Sequence, residues 1–163
     1  MGITLIPISE SPEQVGRVLS WALELWGNRY PNYSRQDWEN FYSHSVRSDY
    51  GKWQGDGQEL VYIAVQNGDV VATIGLVDFD EVEEFRELTP WIAAFIVNPE
   101  FRGQGIGGQV LELLENKASS LGIEVLHLWT EDQANFYRKR GYRLIAASRL
   151  GSLSIDVMAK RLE

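Results

Sequence analysis

The chain of 163 residues is 44% hydrophobic, with six Trp, seven Tyr and six Phe, which suits a single domain with a sizeable core and argues against disorder. Its formal charge of −8 argues against general nucleic-acid binding, which depends on basic surface, and suits a cationic partner better. The absence of cysteine removes disulfides, thiolate metal sites and any cysteine nucleophile, while two histidines without HExxH and no GxSxG leave zinc and serine hydrolases without support.

ITLIPI (3–8) predicts an opening strand. Ser11-Pro12-Glu13-Gln14 predicts an N-cap, a proline at the first helical position and a capping-box glutamine. Val15, Val18, Leu19, Ala22, Leu25 and Trp26 follow at helical spacing, and Gly27-Asn28 stops that helix. A second helix is predicted from Ser34 to about Arg47, with Trp38, Phe41 and Tyr42 on one side and His44 on the polar side. SDYGKWQGDGQ reads as a polar loop. ELVYIAVQ and VVATIGLVDF flank Asn67-Gly68 and predict a hairpin. DEVEEFRELT (80–89) is an acidic connection, PWIAAFIV a strand, and QVLELLENKASSLG an amphipathic helix closed by Gly122. IEVLHLW reads as a strand holding His127, and Thr130 to Gln133 as a capping box that opens a short helix ended by Gly141. YRLIAAS and SIDVMAKRL predict closing strands. The order β-α-α-β-β-β-α-β-α-β-β gives one α/β (α+β) domain over residues 1–163, built on a mixed sheet. No apolar run approaches the roughly 18 residues of a membrane span, and MGITLIPISE lacks the features of a signal peptide, so a cytoplasmic protein is expected.

The stretch VNPEFRGQGIGG (97–108) carries the chemistry. A glycine-rich turn at a helix N-terminus gathers unpaired N–H donors beside the positive end of the helix dipole, which is a phosphate site. No lysine follows Gly107 or Gly108, so the Walker loop fails. Gly103, Gly105 and Gly108 satisfy GxGxxG, but Asn98 to Arg102 separate them from the strand, and too little chain follows for a second dinucleotide half.

Arg102, Gly105 and Gly107 also meet Arg-x-x-Gly-x-Gly. With PWIAAFIVNPEFRGQGIGGQVLELLE, LHLWTEDQANFYRKRGYRLI and the terminal IDVMAKRL, residues 90–163 strongly resemble the GNAT superfamily of N-acetyltransferases. The resemblance implies a splayed mixed sheet and acetyl-coenzyme A as co-substrate, with no metal. It implies that Arg102, Gly103, Gln104, Gly105, Ile106, Gly107 and Gly108 receive the pyrophosphate. It also implies that the backbones of Phe95, Ile96 and Val97 pair with the pantetheine arm, where a peptide N–H can hold the thioester oxyanion. Homodimerisation is a family habit.

Without cysteine, direct attack by an acceptor amine is the economical mechanism; it requires a deprotonated amine and a proton for the departing thiolate. The resemblance places the catalytic acid at Tyr137, within FYRKRGY, and puts Thr130 where many relatives have asparagine. The cofactor strand contains no acid, so base candidates are Asp78, Asp80, Glu81, Glu83, Glu84 and Glu87. Trp21, Trp26, Tyr30 and Trp38 fall in the helix pair that flanks the acceptor in this superfamily, and a cationic amine is a natural partner for such a set. The alternative is a non-catalytic acyl-coenzyme A sensor of the same fold.

Overall fold

The computed structural model describes residues 2–27, 29–30 and 33–163. Strand β1 (Thr4–Pro7) leads to α1 (Val15–Trp26) and α2 (Arg35–Val46), then β2 (Glu59–Gln66), β3 (Asp69–Val77) and β4 (Trp91–Val97). Helix α3 (Ile106–Ser120), β5 (Val125–Thr130), α4 (Ala134–Arg138), β6 (Arg143–Leu150) and β7 (Leu153–Arg161) complete the chain, in the order the sequence predicts. The seven strands form one sheet ordered β1-β2-β3-β4-β5-β7-β6, in which only the β4–β5 pair is parallel. No helix among the described residues is long and apolar enough to cross a membrane.

Alternation along the strands divides the core between two faces. Leu60 and Tyr62 of β2 join Ile74 and Leu76 of β3 beneath Ile106, Val110, Leu111 and Leu114 of α3. Val61 and Ile63 face the other way, with Val18 and Ala22 of α1 and Trp38, Phe41 and Tyr42 of α2. Each Val, Leu, Ile or Phe among them taken wholly from water contributes about 1.5–3 kcal/mol, so the sheet is fixed from both sides.

Local signals explain most of the boundaries. Ser34 caps α2 in a reciprocal box: its hydroxyl oxygen accepts from Asp37 N–H at 3.2 Å, and its own N–H donates to Asp37 Oδ2 at 2.7 Å. Asn67 and Gly68 both take positive φ, the primed hairpin turn that matches strand twist. The box expected at Ser11 does not form. Pro12–Gln14 makes a separate 3-10 turn with no side-chain cap, and α1 begins only at Val15. Gly27 caps α1 as expected, while Asn28 lies outside the described residues. The Thr130 box is half made: Gln133 N–H donates to Thr130 Oγ1 at 3.0 Å, but α4 starts beyond it at Ala134.

Two features of β4 shape the site. The only register pair between β4 and β5 is Trp91 with His127, where His127 N–H donates to Pro90 O at 3.1 Å; beyond that point the strands part. The β3–β4 register also slips between Thr73 and Gly75, and Ala94 sits at φ 51. This is a β-bulge, with the left-handed residue held by the ladder around it. A Cβ at Gly75 would meet Ala93 O at 2.9 Å. Gly75→Ala is therefore expected to lose about 1–3 kcal/mol through overpacking against backbone. Urea denaturation reads this, and an unchanged midpoint would show that the bulge yields freely.

Candidate active site

Where β4 and β5 part, two clefts open. A groove of about 580 Å³ runs along Phe95, Ile96 and Val97 to Arg102 and Gly107, with Phe136 and Tyr137 of α4 among its other walls. A second cleft of about 380 Å³ lies between the sheet and the α1–α2 region. Trp26, Phe95, Glu131, Asp132, Gln133 and Tyr137 line both, so the clefts meet at the bulged strand and Tyr137.

The loop at the groove's end is held from beneath. Asn98 is buried; its amide donates to Val70 O at 2.9 Å, and its Oδ1 accepts from Glu100 N–H at 3.0 Å. This fixes the turn through Pro99–Phe101 against β3. Gly103, Gln104 and Gly105 are exposed, whereas Ile106 turns into the core. Gly103 and Gly105 adopt φ 80 and 75, a region that disfavours any Cβ. Gly105 caps the 15-residue α3 with no side-chain cap bond, leaving the first-turn N–H groups available to an anion.

Gly107 and Gly108 also lie close against Phe136 and Arg140. A Cβ at Gly107 would lie 3.5 Å from Phe136, and one at Gly108 would lie 2.8 Å from the Arg140 guanidinium. That guanidinium stacks 3.9 Å over the Phe136 ring and donates to Phe136 O at 2.9 Å. No local sequence signal marks Arg140 as a cation fixed beside the loop. Arg102 is exposed and borders the groove.

Tyr137 stands at the junction with no hydrogen bond from its hydroxyl to any described residue. Its ring packs edge-on against Phe136 and Tyr142, and burial pushes the phenol well above its ordinary value. The hydroxyl therefore stays protonated throughout the neutral range. Across the groove, Arg29 makes two bonds to Glu131, at 2.7 and 2.9 Å, and so neutralises that carboxylate.

The smaller cleft combines aromatic walls with acids. Trp26 stacks on Trp38 with centroids 5.5 Å apart, and Tyr33 meets Trp38 edge-on at 4.9 Å. Tyr30 and Phe41 also line the cleft; Trp21 of α1 does not and packs, partly buried, against the core. Glu59, Asp80, Glu81, Glu83, Glu131 and Asp132 line it, and no lysine, arginine or histidine does among the described residues. Glu59 lies 2.8 Å from His44 Nδ1, and Glu83 pairs with Arg86 at 2.9 Å. Asp80 is pinned differently: Trp129 Nε1–H donates to its carbonyl at 3.0 Å. Burial, then the neighbouring Glu81 charge, raises its carboxyl to about 7.

The other predicted base candidates, Asp78, Glu84 and Glu87, line neither cleft. Asp78 accepts from Thr89 Oγ1–H at 2.7 Å and from Gly57 N–H at 2.9 Å, tying two loops together. Glu84 bonds Ser148, and Glu87 is exposed outside both clefts. His127 is structural, its Nδ1 lying 3.0 Å from Pro90 O. Asn135 is exposed and accepts from Arg138. Among the described residues no group of three or more His, Asp or Glu is placed to hold a metal ion.

A helix end whose first-turn N–H groups have no side-chain cap, a splayed parallel pair and two clefts that meet at a tyrosine form a candidate site on a mixed α/β sheet. The sequence pattern of the acetyltransferase (GNAT) family matches residues 18–142, and the chain belongs to that family. A GNAT-family acetyltransferase of Staphylococcus aureus Mu50 superposes with a TM-score of 0.66 at 19% identity, over 99% of this chain and all of that one. The N-acetylglutamate synthase of Neisseria gonorrhoeae, solved with coenzyme A and N-acetylglutamate, gives 0.66 at 17% identity, over all of this chain and 36% of that one. At such identities the likeness is one of fold. An amino-acid acetyltransferase of Pseudomonas syringae pv. syringae is 41% identical over 61 residues, which is 37% of this chain and 14% of that protein. The chain thus spans only a small part of the curated relatives it matches.

Proposed function

We propose that the protein is an N-acetyltransferase that moves the acetyl group of acetyl-coenzyme A directly to the primary amine of a small molecule or peptide. The observation that carries this reading is the meeting of the two clefts at Tyr137 and Phe95. The exposed amides of Gly103 to Gly105 and the first turn of α3 suit a pyrophosphate, with Arg102 and Arg140 beside them. The unpaired edge of β4 from Phe95 to Val97 suits a pantetheine arm, whose amides would bond to it as a partial strand. The bulge at Ala94 turns backbone groups out of the β3 ladder, where an N–H can steady the thioester oxyanion.

The amine nitrogen attacks the carbonyl carbon, the C–N bond forms, and the C–S bond breaks. Tyr137 donates its hydroxyl hydrogen toward the leaving sulfur, whose thiol form has a pKa of about 8–9 in water. The attacking nitrogen loses one proton to solvent as the amide forms, and solvent restores the Tyr137 proton.

Calorimetric titration with acetyl-coenzyme A, using NAD as the control ligand, tests the donor. Micromolar binding of the first alone is the expected result. Binding without thiol release across a broad amine panel would favour a sensor over an enzyme, and no binding would remove the donor assignment.

A further inference from the structure

The reading above leaves the acceptor open, and the smaller cleft narrows it. Three of its six acids already have cationic or imidazole partners: Glu131 with Arg29, Glu83 with Arg86, and Glu59 with His44. Asp132 has no cationic partner among the described residues and accepts from the Gln133 side-chain amide at 3.4 Å. Asp80 and Glu81 likewise have no cationic or imidazole partner within salt-bridge distance among the described residues. They sit side by side where β3 leaves the sheet, and Glu81 takes φ 64, a left-handed conformation uncommon for a residue with a side chain. Strain of this kind persists only where the surrounding structure imposes it, and it collects at functional sites. Asp80 is half-buried and lines the cleft, its backbone carbonyl held by Trp129 of β5.

We infer that Asp80 and Glu81 seat the ammonium group of the acceptor, that Asp80 takes its proton, and that the acceptor is a compact apolar-bodied amine without a carboxylate. This rests on the acetyl-transfer reading. The cleft volume of about 380 Å³ lies near the small end of ligand sites, about 300–1,000 Å³. Trp26, Tyr33, Trp38 and Phe41 offer an aromatic wall to the acceptor's body. A carboxylate on the acceptor would enter a cleft that no lysine, arginine or histidine lines among the described residues. The curated relatives are named for amino-acid acceptors; the charges here select against that class.

The proton balance is simple. The ammonium transfers one proton to the Asp80 carboxylate and the free amine attacks; the nitrogen sheds its second proton to solvent, which makes good the one Tyr137 gave to the sulfur, and Asp80 releases its own to solvent, so that one proton is released per turnover. Groups facing Asp80 include Glu81 on its own loop, Glu59 of β2, Tyr30 and Tyr33 before α2, and Trp129 of β5. The tyrosines are held above their ordinary values by burial and do not titrate near neutrality.

Two matched pairs test the assignment in the full chain: 2-phenylethylamine against phenylalanine, and 1,5-diaminopentane against lysine. Members of each pair differ by one carboxylate. The amine is expected to exceed its amino acid in kcat/KM by at least ~100-fold, since like charges brought together at a binding surface cost several kcal/mol. Asp80→Asn is expected to lower kcat/KM for 2-phenylethylamine by about 100-fold and to abolish the rise in rate through pH 7. Glu81→Gln should raise KM and keep that rise.

A second readout needs no substrate. Because the folded carboxyl titrates above its unfolded value, the fold favours the protonated form and loses stability as pH rises through about 7. Asp80→Asn should therefore raise Tm more at pH 8.5 than at pH 5.5. Equal or faster turnover of the amino acids overturns the acceptor assignment alone. A pH limb unchanged in Asp80→Asn overturns its role as base. Acetyl-coenzyme A binding with no turnover of any of the four compounds counts against the transfer reading itself.

Discussion

Replacing Tyr137 by phenylalanine is expected to lower kcat by about 100-fold while acetyl-coenzyme A affinity stays within about two-fold, because a positioned proton donor typically contributes 10²–10⁴-fold to rate. The substitution removes one oxygen and keeps the ring that packs against Phe136 and Tyr142. The lost hydroxyl makes no hydrogen bond to a described residue, so its removal strands no buried partner, and Tm should hold or rise slightly. This separates a catalytic from a structural role: a structural tyrosine would show its loss in Tm, a catalytic one in kcat. Rapid-mixing measurement of thiol release reads the chemical step directly. An unchanged rate there would dismiss Tyr137 as the donor.

The second large effect is expected at Gly105. Gly105→Val should weaken acetyl-coenzyme A binding by on the order of 100-fold, about the loss of one or two charge-assisted hydrogen bonds at about 1.5–3 kcal/mol each. Two causes act together. The residue holds φ 75, where a β-branched side chain is strained by about 1–3 kcal/mol, and it caps α3 just ahead of the amides proposed to meet phosphate. A Cβ there touches nothing within 4 Å, so the fold should survive. Gly105→Asn separates the causes, since asparagine tolerates the left-handed region. If Asn restores binding, the backbone conformation matters most; if it does not, side-chain bulk in the phosphate path does. Full affinity in the valine variant would remove the loop from the donor site.

Much of this architecture is legible in the sequence because it rests on local chemistry. The hairpin at Asn67-Gly68, the Ser34 cap and the positive-φ glycines at 103 and 105 each require particular residues at particular places. The box at Ser11 misleads because Gln14 N–H bonds to Ser11 O at 2.9 Å, closing a tight turn before the helix can start. The bulge at Ala94 leaves no local mark: alanine carries no turn preference, and its only correlate is Gly75 on the neighbouring strand.

The acceptor cleft was the least readable part. Glu59, Asp80 and Glu131 lie far apart in the chain and come together only through strand order. Among the six predicted base candidates nothing local sets Asp80 apart, because its burial depends on Trp129 from β5. Arg140 was similarly hidden, since only the α4–α3 packing brings it over Gly108.

The most direct test of the account is a single-turnover experiment with acetyl-labelled coenzyme A and 2-phenylethylamine, following the label in amine and protein by mass spectrometry. The account predicts label in the amine at the rate of thiol release, with none attached to the protein at any time. Label that passes through the protein, or donor that binds and keeps its acetyl group, would contradict it.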